Sequence, residues 1–300
     1  MAEPRRLERE APAKINLRLR ILSRCEDGFH GIESLYLRLA LADRLVVETG
    51  GEPGIRLELE GEGAAADGVA AVPTGPENLV WRAVEGFCEA VGQEPAVTVR
   101  LHKRIPAGAG LGGGSADAAA ALGAMNELEG EPLEGRDLLR LAGEIGSDVP
   151  FFAADLPAAL GWGRGGRLLP VRAAPPRPML VAVPDVRIGA AEAYAWVDED
   201  REAPEEPGAA RGPGSTDPGP DGPPEGAAAG DDRAGGELLP RAADWEDWET
   251  LERLAGNDFE SAVFARFPEL GWWKEELEGE GARLGLLCGS GSALVGIFTD

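Results

Sequence analysis

The stretch Pro106–Leu122, PAGAGLGGGSADAAAAL, constrains this chain more than any other. The alternating run before it, Ala96–His102, reads as a strand, and the alanine-rich Ser115–Met125 after it reads as a helix. Between them five glycines fall in seven positions, at Gly108, Gly110, Gly112, Gly113 and Gly114. Glycine at this density is entropically costly to order, so the backbone there has to be bare for a reason. Without Cβ atoms, consecutive N–H groups can converge on an anion, and a helix start behind them adds unpaired amides and a positive dipole end. A plain surface turn would need only one or two glycines at positive φ. The stretch is read as a phosphate loop.

Two common phosphate loops do not fit. Gly108–Gly113 satisfies G-x-G-x-x-G, but a dinucleotide fold wants a second strand ending in an acidic residue ~20 residues on. Here Glu127–Arg140 is polar and leads into another helix. No Lys-Ser or Lys-Thr follows the glycines, which removes the P-loop as well.

Upstream, residues 11–22 read as a strand that alternates from Ile15 onward, with Ile15, Leu17, Leu19 and Ile21 as its apolar face. Lys14 and Asn16 then share the opposite face and can point into one cleft. Lysine occurs only at Lys14, Lys103 and Lys274, arginine supplying the other basic charge, so a lysine on this strand stands out. The turn Cys25–Ser34 carries Phe29 and His30, side chains suited equally to core filling and to stacking on a planar base. Leu35–Leu41, Arg44–Glu48 and Ile55–Glu60 read as strands, and 78–91 as an amphipathic helix with Asn78 as N-cap or ligand contact. After a helix over Arg136–Ile145, Pro150 is expected to hold Val149 extended and set Asp148 on a fixed corner, as a cap or as a functional carboxylate. Gly161–Val171 reads as a hairpin, Met179–Val183 as a buried strand, and Ile188–Val197 as a helix. The segment 198–244 holds 13 acidic and 4 basic residues among Pro, Gly and Ala, too little apolar area to offset ordering entropy. It is expected to be a disordered insert. Beyond it come Trp245–Leu254, a helix near Pro268–Leu277, the run Gly289-Ser290-Gly291-Ser292 and a last strand, Leu294–Phe298.

With 53 acidic against 29 basic residues, the net charge of −24 argues against nucleic-acid binding. The acidity fits a saline cytoplasm, and equally an ordinary acidic protein with an acidic insert; a titration of stability against salt separates the two. No run of 18 apolar residues suggests a membrane span, the N-terminus lacks a hydrophobic signal, and three cysteines show no metal or disulfide spacing. A cytoplasmic protein acting on a small molecule, monomeric or weakly dimeric, is expected.

Taken together, Lys14/Asn16 on an early strand, Asp27-Gly-Phe-His30, Gly110-Leu-Gly-Gly-Gly-Ser115, Gly146-Ser-Asp-Val-Pro-Phe-Phe152 and Gly289-Ser-Gly-Ser292 occur in the order seen in one family. The chain resembles the GHMP kinases, and among them the branch acting in non-mevalonate isoprenoid synthesis. The resemblance covers nearly everything except the acidic insert. It implies an α+β, two-domain GHMP kinase fold: a ribosomal-protein-S5-domain-2-like N-terminal domain over 1–173 and a ferredoxin-like C-terminal domain over 174–300 carrying the insert. It further implies transfer of the ATP γ-phosphoryl group to the 2-hydroxyl of a cytidine-diphosphate-linked methylerythritol. On this resemblance Asp148 matches the proton acceptor and Lys14 its cationic partner. Pro106, Gly108, Gly110, Leu111, Gly112, Gly113, Gly114 and Ser115 match the ATP loop, with Mg²⁺ arriving on ATP. Asn16, Phe29, His30 and Tyr194 match the substrate side, Phe29 and Tyr194 as opposing faces of a sandwich around cytosine, and Gly289, Ser290 and Gly291 match the second glycine loop. Ala190 and Cys288 depart from the threonine and serine usual there, and Asp300 follows the last strand where the family continues with a helix and a strand. Two other readings stay open: another small-alcohol GHMP kinase, and a non-catalytic binding protein of the same fold.

Overall fold

The computed structural model describes residues 4–25, 28–61, 72–202 and 246–299. Its frame is a pair of long strands, β1 (Arg5–Arg24) and β2 (His30–Thr49), paired antiparallel along most of their length. The second half of β2 pairs with β4 (Ala96–His102), which carries β3 (Gly54–Glu60) as a parallel neighbour. The first half of β2 pairs instead with β5 (Ala158–Gly163), which forms a hairpin with β6 (Arg167–Pro170). One 20-residue strand thus carries two partners on one edge. A short parallel strand, β8 (Gly256–Asn257), completes the seven-stranded sheet beside β1.

Two expected strands are one. The alternation Leu35, Leu37, Leu39, Leu41 is interrupted at Asp43 before it resumes at Leu45 and Val47, which suggests a break, but the strand continues through a register shift between Arg38 and Ala42. Asp43 is fully buried, its Oδ1 accepting from the Arg104 and Ile105 amides and its Oδ2 from Lys103. Likewise β1 begins at Arg5, well before the alternation at Ile15.

One face of the large sheet, with Ala11, Leu45, Val47, Val97 and Val99, packs on α1 (Leu79–Val91) and α2 (Gly113–Leu128). The other, with Ala13, Ile15, Leu17 and Leu35, packs on a three-stranded sheet ordered β7 (Met179–Ala182), β10 (Leu294–Ile297), β9 (Leu284–Leu287). Ala11 faces the helices and Ala13 the smaller sheet because a register shift falls between Pro12 and Lys14. Such an irregularity re-aims every side chain after it, and here it leaves Lys14 and Asn16 on the side of the glycine loop. β7, expected to be buried, is an edge strand with Leu180 half exposed, because only β10 pairs with it.

Asn78 is the N-cap of α1, its Oδ1 accepting from the Val80 amide. α3 (Gly135–Ile145) is followed by α4 (Val149–Ala153), so Val149 is helical rather than extended. Pro150 falls in the first turn of α4, where an N–H has no intrahelical partner to lose. α5 (Ala190–Glu202) runs on past Val197, so the first five residues of the expected acidic insert, Asp198–Glu202, are helical; the rest of that segment lies outside the described residues. α6 (Trp248–Leu254), α7 (Phe259–Arg266) and α8 (Pro268–Gly279) complete the chain. Among the described residues no helix is long and apolar enough to cross a membrane.

Candidate active site

The glycine stretch is a loop from β4 into α2, and α2 starts at Gly113, two residues earlier than its alanine run suggests. Gly113, Gly114 and Ser115 therefore form the first helical turn, while Pro106, Gly108, Gly110, Leu111 and Gly112 form the loop proper. Gly112 stands at the N-cap with φ +73° and no side chain caps the helix, so the first-turn amides face outward unpaired by a cap. That is the arrangement that receives an anion. Leu111 contributes backbone alone: its side chain is buried between the two sheets and its carbonyl accepts from the Lys14 amide at 2.9 Å.

Lys14 reaches this loop from β1. Its ammonium donates to Asn16 Oδ1 at 2.7 Å and to the Gly110 carbonyl at 3.1 Å, and lies 3.4 Å from Asp148 Oδ2. An ammonium has three protons, and three acceptors surround this one. Asn16 is fixed in turn, donating to Ser34 Oγ at 2.7 Å, which donates to the Arg18 carbonyl. Asp148 precedes α4 but its carboxylate does not cap it. The carboxylate faces Lys14 and accepts from the Tyr36 hydroxyl at 3.3 Å, and its side chain stays 28 % exposed where that of Lys14 is 5 % exposed. The cation is held from behind and the carboxylate is open to a ligand. Burial, then the adjacent Asp148 charge, pushes the Tyr36 hydroxyl well above the ordinary tyrosine range, so it stays a donor.

The second glycine loop meets the first directly. Gly289, Ser290 and Gly291 turn between β9 and β10, and Ala293 donates to the Ala109 carbonyl at 3.3 Å. Asn257 holds the turn, donating to the Leu287 and Gly289 carbonyls at 2.8 and 2.7 Å. Cys288 is fully buried with its thiol pushed up to about 12 by desolvation, so it packs and does not ionise. A Cβ on Gly110 would stand 1.8 Å from the Cys288 carbonyl oxygen, and Gly110 has φ +79°. Gly110→Ala is expected to cost ~1–2 kcal/mol in backbone strain and, by prising the loops apart, to raise the KM for ATP at least roughly tenfold. Gly108 has φ +73° but open space around it. Gly108→Ala should show the strain alone, read as a smaller fall in thermal midpoint with the KM for ATP little changed.

At the start of β2, where His30 pairs with Arg24, His30 is buried and lies flat against Tyr194, ring centroids 5.0 Å apart and planes 7° apart. Tyr194 also meets Phe259 edge-on at 4.9 Å. Phe29 is 59 % exposed with the Arg164 guanidinium 4.3 Å above its ring. The structure thus sets Tyr194 against His30 and Phe29 against Arg164. A groove of about 610 Å³ between α1 and α3 is lined by none of these residues.

Two family models match: the GHMP kinases N-terminal domain over residues 78–156 and the GHMP kinases C-terminal domain over residues 237–300. The 4-diphosphocytidyl-2-C-methyl-D-erythritol kinase of Geobacter sp. (strain M21) is 32 % identical over 296 residues, 99 % of this chain and 91 % of the relative. The kinase of the same name from Symbiobacterium thermophilum is 35 % identical, over 98 % of this chain and 91 % of its own. A crystal structure of 4-(cytidine 5'-diphospho)-2C-methyl-D-erythritol kinase superposes with a TM-score of 0.69 at 35 % identity, covering 97 % of this chain and 90 % of the other. The chain belongs to this kinase family.

Within that family fold, three residues that sequence reading passed over bear on the site. Tyr36 and Ser34 on β2 hold Asp148 and Asn16, and Asn257 holds the second glycine loop. The signal for the first two was the period-2 rule: Ser34 and Tyr36 alternate with Leu35 and Leu37, so they share a face. That this face looks at Asn16 required the register, which pairs Asn16 with Tyr36. Asn257 carries no such mark, because its role depends on β8 lying against β1.

Proposed function

We propose that this chain is an ATP-dependent kinase transferring the γ-phosphoryl group of ATP to the 2-hydroxyl of 4-diphosphocytidyl-2-C-methyl-D-erythritol. The observation that carries this reading is the Lys14 ammonium lying between the Asp148 carboxylate and the carbonyl of Gly110. One side chain ties a half-buried carboxylate to a phosphate loop. Phosphoryl transfer depends on positioning and charge neutralisation more than on covalent chemistry. Asp148 takes the proton of the acceptor hydroxyl as its oxygen bonds to the γ-phosphorus, and the bond from that phosphorus to the β–γ bridging oxygen breaks to release ADP. Lys14 offsets the charge on the hydroxyl oxygen and the incoming phosphoryl, while the loop amides and the first turn of α2 hold the phosphates. Tyr36 and Asn16 aim the pair without touching the reacting atoms.

Mg²⁺ would supply further neutralisation when bound. The ion would ride on the phosphates of ATP, where Mg²⁺ commonly takes no more than one or two protein carboxylates as ligands. The acceptor lies in a cleft between two domains, 1–173 and 174–300, with His30, Phe29 and Tyr194 on the cytidine side. We read the protein as cytoplasmic and as a monomer or weak homodimer.

A coupled ADP-release assay tests this. Turnover is expected with the cytidine-diphosphate substrate and not with bare methylerythritol phosphate at the same concentration. Equal rates on both would make the chain a less selective alcohol kinase, and none on either would leave a binding protein.

A further inference from the structure

We propose that the buried cluster of Lys103, Asp43 and Asp117 beneath the phosphate loop couples ATP binding to the uptake of a proton, which the two carboxylates share. ATP as the occupant of the loop rests on the kinase reading above; the coupling stands on the geometry beneath that loop.

Three elements meet in the cluster. Asp43 comes from β2, Lys103 from the residue after β4, and Asp117 from the second turn of α2. All three side chains are closed to solvent. Lys103 Nζ donates to Asp43 Oδ2 and, at 2.8 Å, to Asp117 Oδ2. Asp43 Oδ1 accepts from the Arg104 and Ile105 amides, where the loop begins. The cluster therefore touches the phosphate site from below. A Cβ on Gly113, the first residue of α2, would stand 3.4 Å from Lys103 Nζ and 2.9 Å from Ile105 Cγ2. Asp117 is only ~6 Å further along the helix axis.

Two acids share one base here, so the cluster carries a charge of −1 when both are ionised and none when one holds a proton. A site closed to water disfavours the uncompensated charge. Asp117 Oδ1 finds no hydrogen-bond partner among the described residues. Burial, opposed by Lys103 and aided by Asp43, pushes the Asp117 carboxyl up to about 7. The other elements packed on α2 bring little to oppose this. α1, α3 and α4 bury apolar residues, and Lys14 of β1 stands beside Gly112 with Asp148 as its own partner.

A triphosphate, anionic with or without Mg²⁺, adds negative charge at the same helix start. Between buried groups that charge is poorly screened. It disfavours the ionised pair, so the complex holds the shared proton more tightly than the free protein does. By linkage, ATP binds most tightly below about pH 7, where the free protein already carries the proton, and more weakly as pH rises through the higher value of the complex. Each unit by which bound ATP raises that value is a tenfold fall in affinity at high pH.

Calorimetric titration of the full chain with MgATP at about pH 7.5, in PIPES and in Tris, counts the protons, because the buffer that supplies them adds its own heat of ionisation. The wild type is expected to take up about half a proton and Asp117→Asn none. The wild-type Kd for MgATP should rise roughly tenfold between about pH 6 and 9, while that of Asp117→Asn stays near the low-pH wild-type value. The same binding heat in both buffers for the wild type overturns the proposal. So does uptake that persists in Asp117→Asn, which would move the proton to another group such as the exposed His102. If Asp117→Asn does not fold, the wild type still decides: MgATP added to the unbuffered protein should raise the pH, and no change overturns the coupling. Uptake by a chain that phosphorylates neither the cytidine-diphosphate substrate nor bare methylerythritol phosphate would sink the kinase reading alone and support the coupling. No MgATP binding at any pH would sink both.

Discussion

Asp148→Ala is expected to lower kcat by roughly 10²–10⁴, the range for removing a positioned proton acceptor, while the KM for ATP stays within about twofold of wild type. The separation follows from the geometry. The carboxylate touches Lys14 and Tyr36 and makes no hydrogen bond to the loop, so the phosphate cradle survives its removal. Lys14 keeps Asn16 and the Gly110 carbonyl as acceptors, and its place beside the loop is retained. Asp148→Asn preserves shape and can still accept from Tyr36, yet has no basic oxygen, so it should lose nearly as much. Initial rates of ADP release at saturating substrates measure both. Turnover of Asp148→Asn within threefold of wild type would take the proton-acceptor role away from this residue.

The largest effect on stability should come from Lys103→Met, beneath the loop rather than in it. Lys103 ends in a site where it is 3 % exposed, donating to Asp43 and, at 2.8 Å, to Asp117. Methionine fills a similar volume and carries no charge, so two buried carboxylates would be left facing one another. Removing one partner of a buried ionic group costs about 3–5 kcal/mol, measurable by urea unfolding; a loss under ~1 kcal/mol would show that the cluster is not an ionic one. The same cluster predicts a pH dependence. It holds two acids for one base, and burial, against the pull of Lys103, pushes the Asp117 carboxyl up from 3.8 to about 7. The Lys103 ammonium is held charged by the same two carboxylates. Asp117 Oδ1 has no hydrogen-bond partner to stabilise its ionised form. A raised folded-state value means the native protein binds this proton more tightly than the unfolded chain. Its contribution to stability is therefore full below about pH 4 and is lost as pH rises through about 7. Between pH 5 and 8 the wild type should lose on the order of 2–4 kcal/mol relative to Asp117→Asn, which has no proton to give up. Parallel curves for the two proteins would refute it.

Both effects trace to the scarcity of lysine. Of the three lysines, Lys14 and Lys103 are buried at the two flanks of one loop. Lys14 faces the carboxylate of Asp148 and Lys103 those of Asp43 and Asp117, pairings that the charge distribution of so acidic a sequence does not hint at. Arginine serves the surface pairs, such as Arg100 with Glu48 and Glu58, which contribute little individually.

The local chemistry was written in residue order. Five glycines between a strand and an alanine run specify a bare-amide loop, because Gly108, Gly110 and Gly112 take positive φ and a Cβ on Gly110, Gly112 or Gly113 would stand 3.0 Å or less from a neighbouring atom, and the alternation of Ile15 and Leu17 with Lys14 and Asn16 specifies which side chains share a face. Residue order could not say that Val149 would enter a helix, since the first-turn exemption that admits Pro150 depends on where the helix begins. Nor could it show Asp198 as a helical residue, because its composition matches the acidic run that follows, and α5 is a helix packed against α7 in the folded chain. That Lys14 meets Asp148, 134 positions further along the chain, depends on a register shift at Pro12 and on the packing of α4 against α2. Sequence periodicity sets direction within one element; the distance between elements is set by which apolar faces find each other, and that is a property of the folded chain alone.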